Sequence, residues 1–149
     1  MKHFGRILLR LSLILFVSAS VVGCSGDGGT TEALEDVGGP VVRGVLFYAP
    51  SCQHCHEVMT EVIPPLEEEY GDQLLIMEVD ASTSEGGALY QAAVERFAIQ
   101  NRGVPTLIVG EEVLIGSIQI PERLPGIIED GLETGGIDWP DIPGLAPPQ

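Results

Sequence analysis

An apolar run followed at once by a helical pattern is the feature of this sequence that most limits its fold. Val41 to Tyr48 is nearly continuous in apolar side chains, as expected for a strand covered on both faces. From Cys52 to Tyr70 apolar residues recur at spacings of three and four, which predicts a helix with one buried face. Pro64-Pro65 is expected to kink this helix, because proline removes a backbone donor. A buried strand leading directly into a helix indicates an α/β fold.

The next segments continue this alternation. The pattern predicts a second strand, a helix that begins with a capping box and reaches about Gln100, a hairpin and a last helix. In order, these segments are Leu74 to Val79, the helix starting at Ser82-Thr83-Ser84-Glu85, Pro105 to Gly110 paired with Val113 to Ile115, and Pro121 to about Glu133. The first crossover implies a parallel pair of strands and the hairpin adds antiparallel ones. The predicted order is therefore β-α-β-α-β-β-α in an α/β sandwich with one mixed sheet.

The N-terminus resembles an export signal. Residues 1–23 contain three basic residues and then an apolar stretch that is too short to fill a membrane span of about 20 residues. The tetrapeptide Val21-Val22-Gly23-Cys24 resembles a bacterial lipobox, which implies cleavage before Cys24 and lipid on its sulfur. An ordinary secretory signal with a free Cys24 thiol and an uncleaved anchor remain as alternatives. On each of these readings the body of the protein lies outside the cytoplasm.

Composition divides the remainder of the chain into a linker, a domain and a tail. Residues 24–40 are acidic and glycine-containing, which predicts a flexible linker. Residues 41–134 carry the predicted elements, and residues 135–149 contain too many prolines and glycines for a regular element, so we expect a tail that packs through Trp139. From Cys24 onward the chain has four arginines, no lysine and 22 acidic residues, a net charge of −18. So negative a surface repels phosphate backbones and argues against a nucleic-acid partner.

Two cysteines three residues apart, Cys52 and Cys55, are expected at the start of the first helix. Free backbone N–H groups and the helix dipole favour the thiolate of Cys52 there and lower its pKa. Cys55 lies one turn further in, within disulfide reach, and is better placed to resolve a mixed disulfide than to start one.

Phe47-Tyr48-Ala49-Pro50-Ser51-Cys52-Gln53-His54-Cys55, together with Gly103-Val104-Pro105-Thr106, resembles the thioredoxin-like superfamily over residues 41 to 134. The resemblance implies a three-layer sandwich with a four-stranded sheet, a cis peptide bond before Pro105 and a role for Val104 in pairing with substrate. It also implies a thiol–disulfide oxidoreductase that needs no cofactor, acts on protein thiols or disulfides and is reset by a redox partner. Thioredoxins usually carry Trp and a buried acid where this chain has Ser51 and Leu46, which argues against a housekeeping thioredoxin.

The residues between the cysteines are similar to those of DsbA-type oxidases and protein disulfide isomerases, which also have His before the second cysteine. His54 can stabilise the Cys52 thiolate and thereby make the disulfide more oxidising. The alternative is an exposed helix residue without a tuning role. His56 and Glu57 are expected to point elsewhere.

Two other functions fit the same residues. Cys52-Gln-His-Cys55-His56 matches the C-x-x-C-H attachment pattern of c-type haem, with His56 as an axial ligand and Met59 or Met77 opposite. Alternatively, the two cysteines and one or both histidines bind copper or zinc. The surrounding strand pattern and the open ligand set favour the oxidoreductase, and the two methionines are expected to fill the core.

The lipobox predicts that the mature chain begins at Cys24 and carries lipid on that sulfur. The lipid occupies one of the three cysteines, so only two titratable thiols remain. Mass spectrometry of the protein from the membrane fraction measures both. A different N-terminus, or an unmodified Cys24 thiol, contradicts the lipoprotein assignment.

Overall fold

A central strand leads into the first helix, as the sequence predicts. The computed structural model describes residues 39–148, so the signal peptide, Cys24 and nearly all of the linker lie outside the described residues. The elements are β1 (Val42–Tyr48), α1 (Gln53–Glu57), a π-helical segment (Val58–Val62), α2 (Ile63–Tyr70), a 3₁₀ turn (Gly71–Gln73), β2 (Leu74–Asp80), α3 (Ser84–Arg96), β3 (Thr106–Val109), β4 (Glu112–Ile115) and α4 (Gly116–Glu133).

The four strands form one mixed sheet in the order β2-β1-β3-β4. β1 pairs in parallel with β2, and the pairs β1–β3 and β3–β4 are antiparallel. The hairpin turns at Gly110-Glu111, where Gly110 has a φ of +56°, a backbone angle that residues with a side chain rarely adopt. The predicted α/β fold with a mixed four-stranded sheet is confirmed.

The sheet separates two apolar clusters. Val42 and Leu46 of β1 face a cluster completed by the π-helical segment, α2 and α4. Val45 and Phe47 of the same strand face a second cluster, completed by α3 and the C-terminal segment. Each of these four β1 side chains is fully buried, which is why the strand reads as a continuous apolar run. The two clusters and the sheet make the three layers.

The first helix is irregular one turn before the position where the sequence predicts a kink. The π-helical segment spans Val58–Val62, and the N–H of Ile63 donates to the carbonyl of Val58, five residues back. Pro64 and Pro65 have no N–H to offer the carbonyls one turn earlier, and they lie in the first turn of the regular helix α2. The helix therefore adjusts upstream of the prolines rather than at them.

Three helix ends differ from those that the sequence predicts. α4 begins at Gly116 instead of Pro121. Pro121 lies in the second turn of the helix, where its missing N–H leaves the Ser117 carbonyl without a helical hydrogen bond. α3 is capped by Thr83 instead of Ser82, and its hydroxyl accepts a hydrogen bond from the Gly86 N–H at 3.0 Å. α3 also ends at Arg96, four residues before the predicted Gln100.

The segment after α4 packs back onto the sheet. Ile137 forms a parallel bridge with Val42, and the Arg43 N–H donates to the Ile137 carbonyl at 2.9 Å. Ile142 is buried in the second cluster, and Trp139 packs against it while half-buried. None of the helices within residues 39–148 combines the length and apolar character that crossing a membrane requires.

The contact between α4 and this segment predicts opposite effects for two glycine-to-alanine changes in α4. A Cβ at Gly131 would lie 2.7 Å from Ile137 and 2.8 Å from the buried Val42, whereas a Cβ at Gly126 has nothing within 4 Å. We expect Gly131→Ala to lower the free energy of unfolding by about 1–2 kcal/mol through overpacking. Gly126→Ala should raise it by about 0.5–1 kcal/mol through helix propensity. Urea denaturation measures both, and a stabilising Gly131→Ala contradicts the described packing.

Candidate active site

A disulfide joins Cys52 and Cys55 across the first turn of α1, with their Cα atoms 5.2 Å apart. Cys52 is the N-cap residue, and its Sγ accepts a hydrogen bond from the Cys55 N–H at 3.1 Å. The two sulfurs differ in accessibility, since Cys55 is 1% exposed whereas Cys52 is only half-buried. Cys52 is therefore the sulfur that a second molecule can reach, and the helix N-terminus is available to stabilise its thiolate.

The loop before β3 lies against this disulfide. The Val104–Pro105 peptide bond is cis, the geometry that the thioredoxin resemblance implies. The carbonyl oxygen of Val104 lies 3.5 Å from the Sγ of Cys52, although the two residues are 52 positions apart in the chain. Thr106, which is fully buried, donates from its hydroxyl to the Gly103 carbonyl at 2.6 Å. The structure thus brings together the two cysteines and the two loop residues that the sequence singles out.

His54 projects from α1 toward the start of α4. Its Nδ1 lies 3.3 Å from the hydroxyl of Ser117 and 3.6 Å from the carboxylate of Glu57, while the side chain remains 72% exposed. Glu57 reaches His54 because residues three apart on a helix share a face. Sequence reasoning misses Ser117, which no motif marks. The side chain of His56 is exposed, and within residues 39–148 it makes no hydrogen bond or ion pair.

The position of the usual buried acid is occupied by Leu46, which is fully buried. Its partner in the β1–β2 register is Glu78, on the edge strand. Glu78 is exposed, but desolvation by the neighbouring chain, followed by the nearby negative charge of Glu67, raises its pKa above the ordinary value. The carboxylate beside this part of β1 therefore belongs to the neighbouring strand.

The described part of the chain contains no group of three or more His, Cys, Asp or Glu side chains arranged to hold a metal ion. Met59 and Met77, the candidate axial ligands, pack as half-buried side chains against the two core clusters. The prediction that these methionines fill the core is confirmed.

No protein-family model and no curated protein matches this chain. Among solved structures, the chain is similar to a buckwheat glutaredoxin–glutathione complex, at 19% identity and a TM-score of 0.42 over 62% of this chain and 77% of that one. It is similar to thioredoxin-2 of the malaria parasite, at 21% identity and a TM-score of 0.42, over 60% of this chain and 82% of that one. It is also similar to the C-terminal domain of Neisseria meningitidis DsbD, at 20% identity and a TM-score of 0.39, over 62% of this chain and 82% of that one.

The topology itself carries the fold assignment. The strands β1 and β2 form a parallel pair joined through a helix. The antiparallel hairpin of β3 and β4 lies on the other side of β1, and the last helix packs back on the sheet. The cysteine pair follows β1, and the cis-proline precedes β3 at the same edge of the sheet. The described part of the chain therefore has a thioredoxin-like fold.

Proposed function

We propose that this protein is a thiol–disulfide oxidoreductase that exchanges disulfides with protein substrates outside the cytoplasm. The observation that carries the proposal is the unequal pair of sulfurs at the N-terminus of α1, one reachable and one buried, beside the carbonyl of Val104. A structural disulfide has no need for one accessible sulfur at a helix N-terminus. A redox pair needs that arrangement, because the reachable sulfur must bond to another molecule.

The exchange uses only sulfur chemistry. A substrate thiolate attacks the Sγ of Cys52, so that a bond forms between the substrate and Cys52 while the Cys52–Cys55 bond breaks. Its electron pair stays on Cys55, which takes up a proton. A second substrate thiolate then attacks the substrate sulfur of this mixed disulfide and releases Cys52 as a thiolate. Two electrons have passed to the protein, and a second dithiol–disulfide protein removes them.

The neighbouring residues take distinct roles in this proposal. Val104 pairs with the extended backbone of the substrate next to its cysteine, and the cis-proline Pro105 shapes the loop that presents it, as the thioredoxin resemblance implies. His54 stabilises the Cys52 thiolate through its charge, and its ring is oriented by Ser117 and Glu57. The reaction runs in reverse when the protein starts as the dithiol, so its direction depends on the reduction potentials of its partners.

The proposed place of action is the outer side of a bacterial cell membrane. Lipid on Cys24 would hold the protein there, and residues 24–40 would act as a tether. The net charge of −18 beyond the signal peptide supports soluble, protein-directed chemistry and argues against nucleic acid. The substrates are cysteine-containing proteins in that compartment.

Single cysteine variants should behave differently because only one sulfur is reachable. We expect Cys55→Ser to accumulate mixed disulfides with client proteins, since the buried residue can no longer release them. Cys52→Ser should accumulate few or none, because Cys55 is 1% exposed. Non-reducing electrophoresis of the two variants from the native compartment, followed by mass spectrometry of the trapped partners, measures the difference.

Equal trapping by both variants contradicts the assignment of Cys52 as the attacking sulfur. The parent protein from the same preparation serves as the control for the rival functions. It should show one reducible disulfide, no Soret absorption and little bound metal. A covalent haem spectrum overturns the mechanism, and stoichiometric copper or zinc on the cysteines favours the metal-binding alternative.

His54 and His56 provide a matched pair for testing the proposed tuning, since both are exposed histidines on α1. His54→Leu should raise the pKa of the Cys52 thiol and make the disulfide less oxidising. The expected change in the glutathione equilibrium constant is up to about tenfold, or about 30 mV for this two-electron couple. His56→Leu should change neither quantity. Thiolate absorbance against pH and redox titration with glutathione measure them, and equal behaviour of the two variants shows that His54 has no tuning role.

A further inference from the structure

The loop that faces Cys52 is fastened to α3 by one tyrosine. The hydroxyl of Tyr90 donates to the carbonyl of Gly103 at 2.7 Å and accepts from the N–H of the same residue at 2.8 Å. A single side chain therefore satisfies both backbone groups of the residue that precedes Val104. Arg102 adds a longer contact from the same loop to the same helix, at 3.4 Å from the Gln91 side-chain oxygen.

Tyr90 is itself held by the strand that carries the redox pair. Its ring centroid lies 5.1 Å from that of Phe47, at an interplanar angle of 52°. Phe47 is fully buried in β1, and β1 ends four residues before Cys52. The aromatic contact thus fixes the Tyr90 hydroxyl relative to the strand from which Cys52 follows. Tyr90 therefore connects the strand that leads to Cys52 with the loop that carries Val104 and Pro105.

The hydrogen bonds of Gly103 indicate what the loss of the hydroxyl would change. The Gly103 carbonyl also accepts from Thr106, but its N–H has Tyr90 as its partner. Gly103 is exposed, so water can replace the lost hydrogen bond and the folded state loses little stability. What water cannot replace is the fixed position of the loop.

We propose that Tyr90 is a positioning residue for substrate binding, which it serves by holding the Gly103-Val104-Pro105 backbone in the conformation that pairs with a substrate peptide. This inference rests on the proposed function. A loop that is already ordered spends less of the binding free energy on its own immobilisation. Tyr90 therefore acts on the affinity for peptide substrates and leaves the chemistry of the two sulfurs unchanged.

The test compares Tyr90→Phe with Tyr70→Phe, a tyrosine of α2 whose hydroxyl makes no hydrogen bond within the described residues. Two reductants serve as probes: a synthetic two-cysteine peptide, which offers a backbone for pairing, and dithiothreitol, which does not. We expect Tyr90→Phe to raise the KM for the peptide about three- to tenfold with little change in kcat. Its rate with dithiothreitol, its glutathione equilibrium and its urea midpoint should equal those of the parent. Tyr70→Phe should match the parent throughout.

Amide hydrogen exchange gives a direct readout of the loop, because the Gly103 N–H should exchange faster in Tyr90→Phe and not in Tyr70→Phe. An unchanged peptide KM in Tyr90→Phe overturns the inference while leaving the proposed function intact. Equal losses with both reductants also overturn it, because they indicate a general structural role. If the parent disulfide reacts with dithiothreitol but with no cysteine peptide, the proposed function itself fails.

Discussion

The burial of β1 on both faces is the constraint on which the rest of the described structure depends. A strand with buried apolar side chains on both faces needs an apolar layer on each side, and neither layer alone would cover it. Val42 and Leu46 require the layer of α2 and α4, and Val45 and Phe47 require that of α3 and the C-terminal segment. The segment after α4 completes this coverage, since Ile142 is buried in the second cluster and Ile137 bridges Val42.

Strand direction then decides which residues meet. Because β1 and β3 are antiparallel, Phe47 near the end of β1 pairs with Thr106 at the start of β3. Because β3 and β4 are also antiparallel, Thr106 pairs in turn with Ile115, the last residue of β4. The segments that follow β1, precede β3 and follow β4 therefore lie at one edge of the sheet. They carry the cysteine pair, Val104-Pro105 and Ser117, respectively.

Short-range patterns predicted the elements, and contacts between distant segments account for most of what could not be predicted. The apolar run of β1 and the spacing of Cys52 and Cys55 are local, so sequence reasoning found them. The predicted start of α4 was wrong because proline is common at the first position of a helix, which favoured Pro121 as the start. In the structure Pro121 occupies the second turn instead. Ser117 and Tyr90 escaped notice because their partners lie 63 and 13 residues away, and neither a lone serine nor a lone tyrosine marks a site.

The placement of positive charge links the fold to the chemistry of the cysteine pair. Arg43 pairs with Asp138 where β1 begins, and Arg96 and Arg123 bind Glu111 and Glu112 at the β3–β4 turn, all at the edge opposite the disulfide. Carboxylate hydrogen bonds, from Glu111 first, raise the pKa of Arg96 and keep it charged there. Three of the four arginines within residues 39–148 thus hold the β3–β4 turn and the C-terminal segment. At the edge of the sheet that carries the disulfide, the Cys55 N–H donates to the Sγ of Cys52, and His54 lies two residues further along the same helix, in a strongly acidic protein. In such surroundings a thiolate depends on local donors, which is the physical reason to expect that a single exposed histidine alters the redox behaviour of the pair.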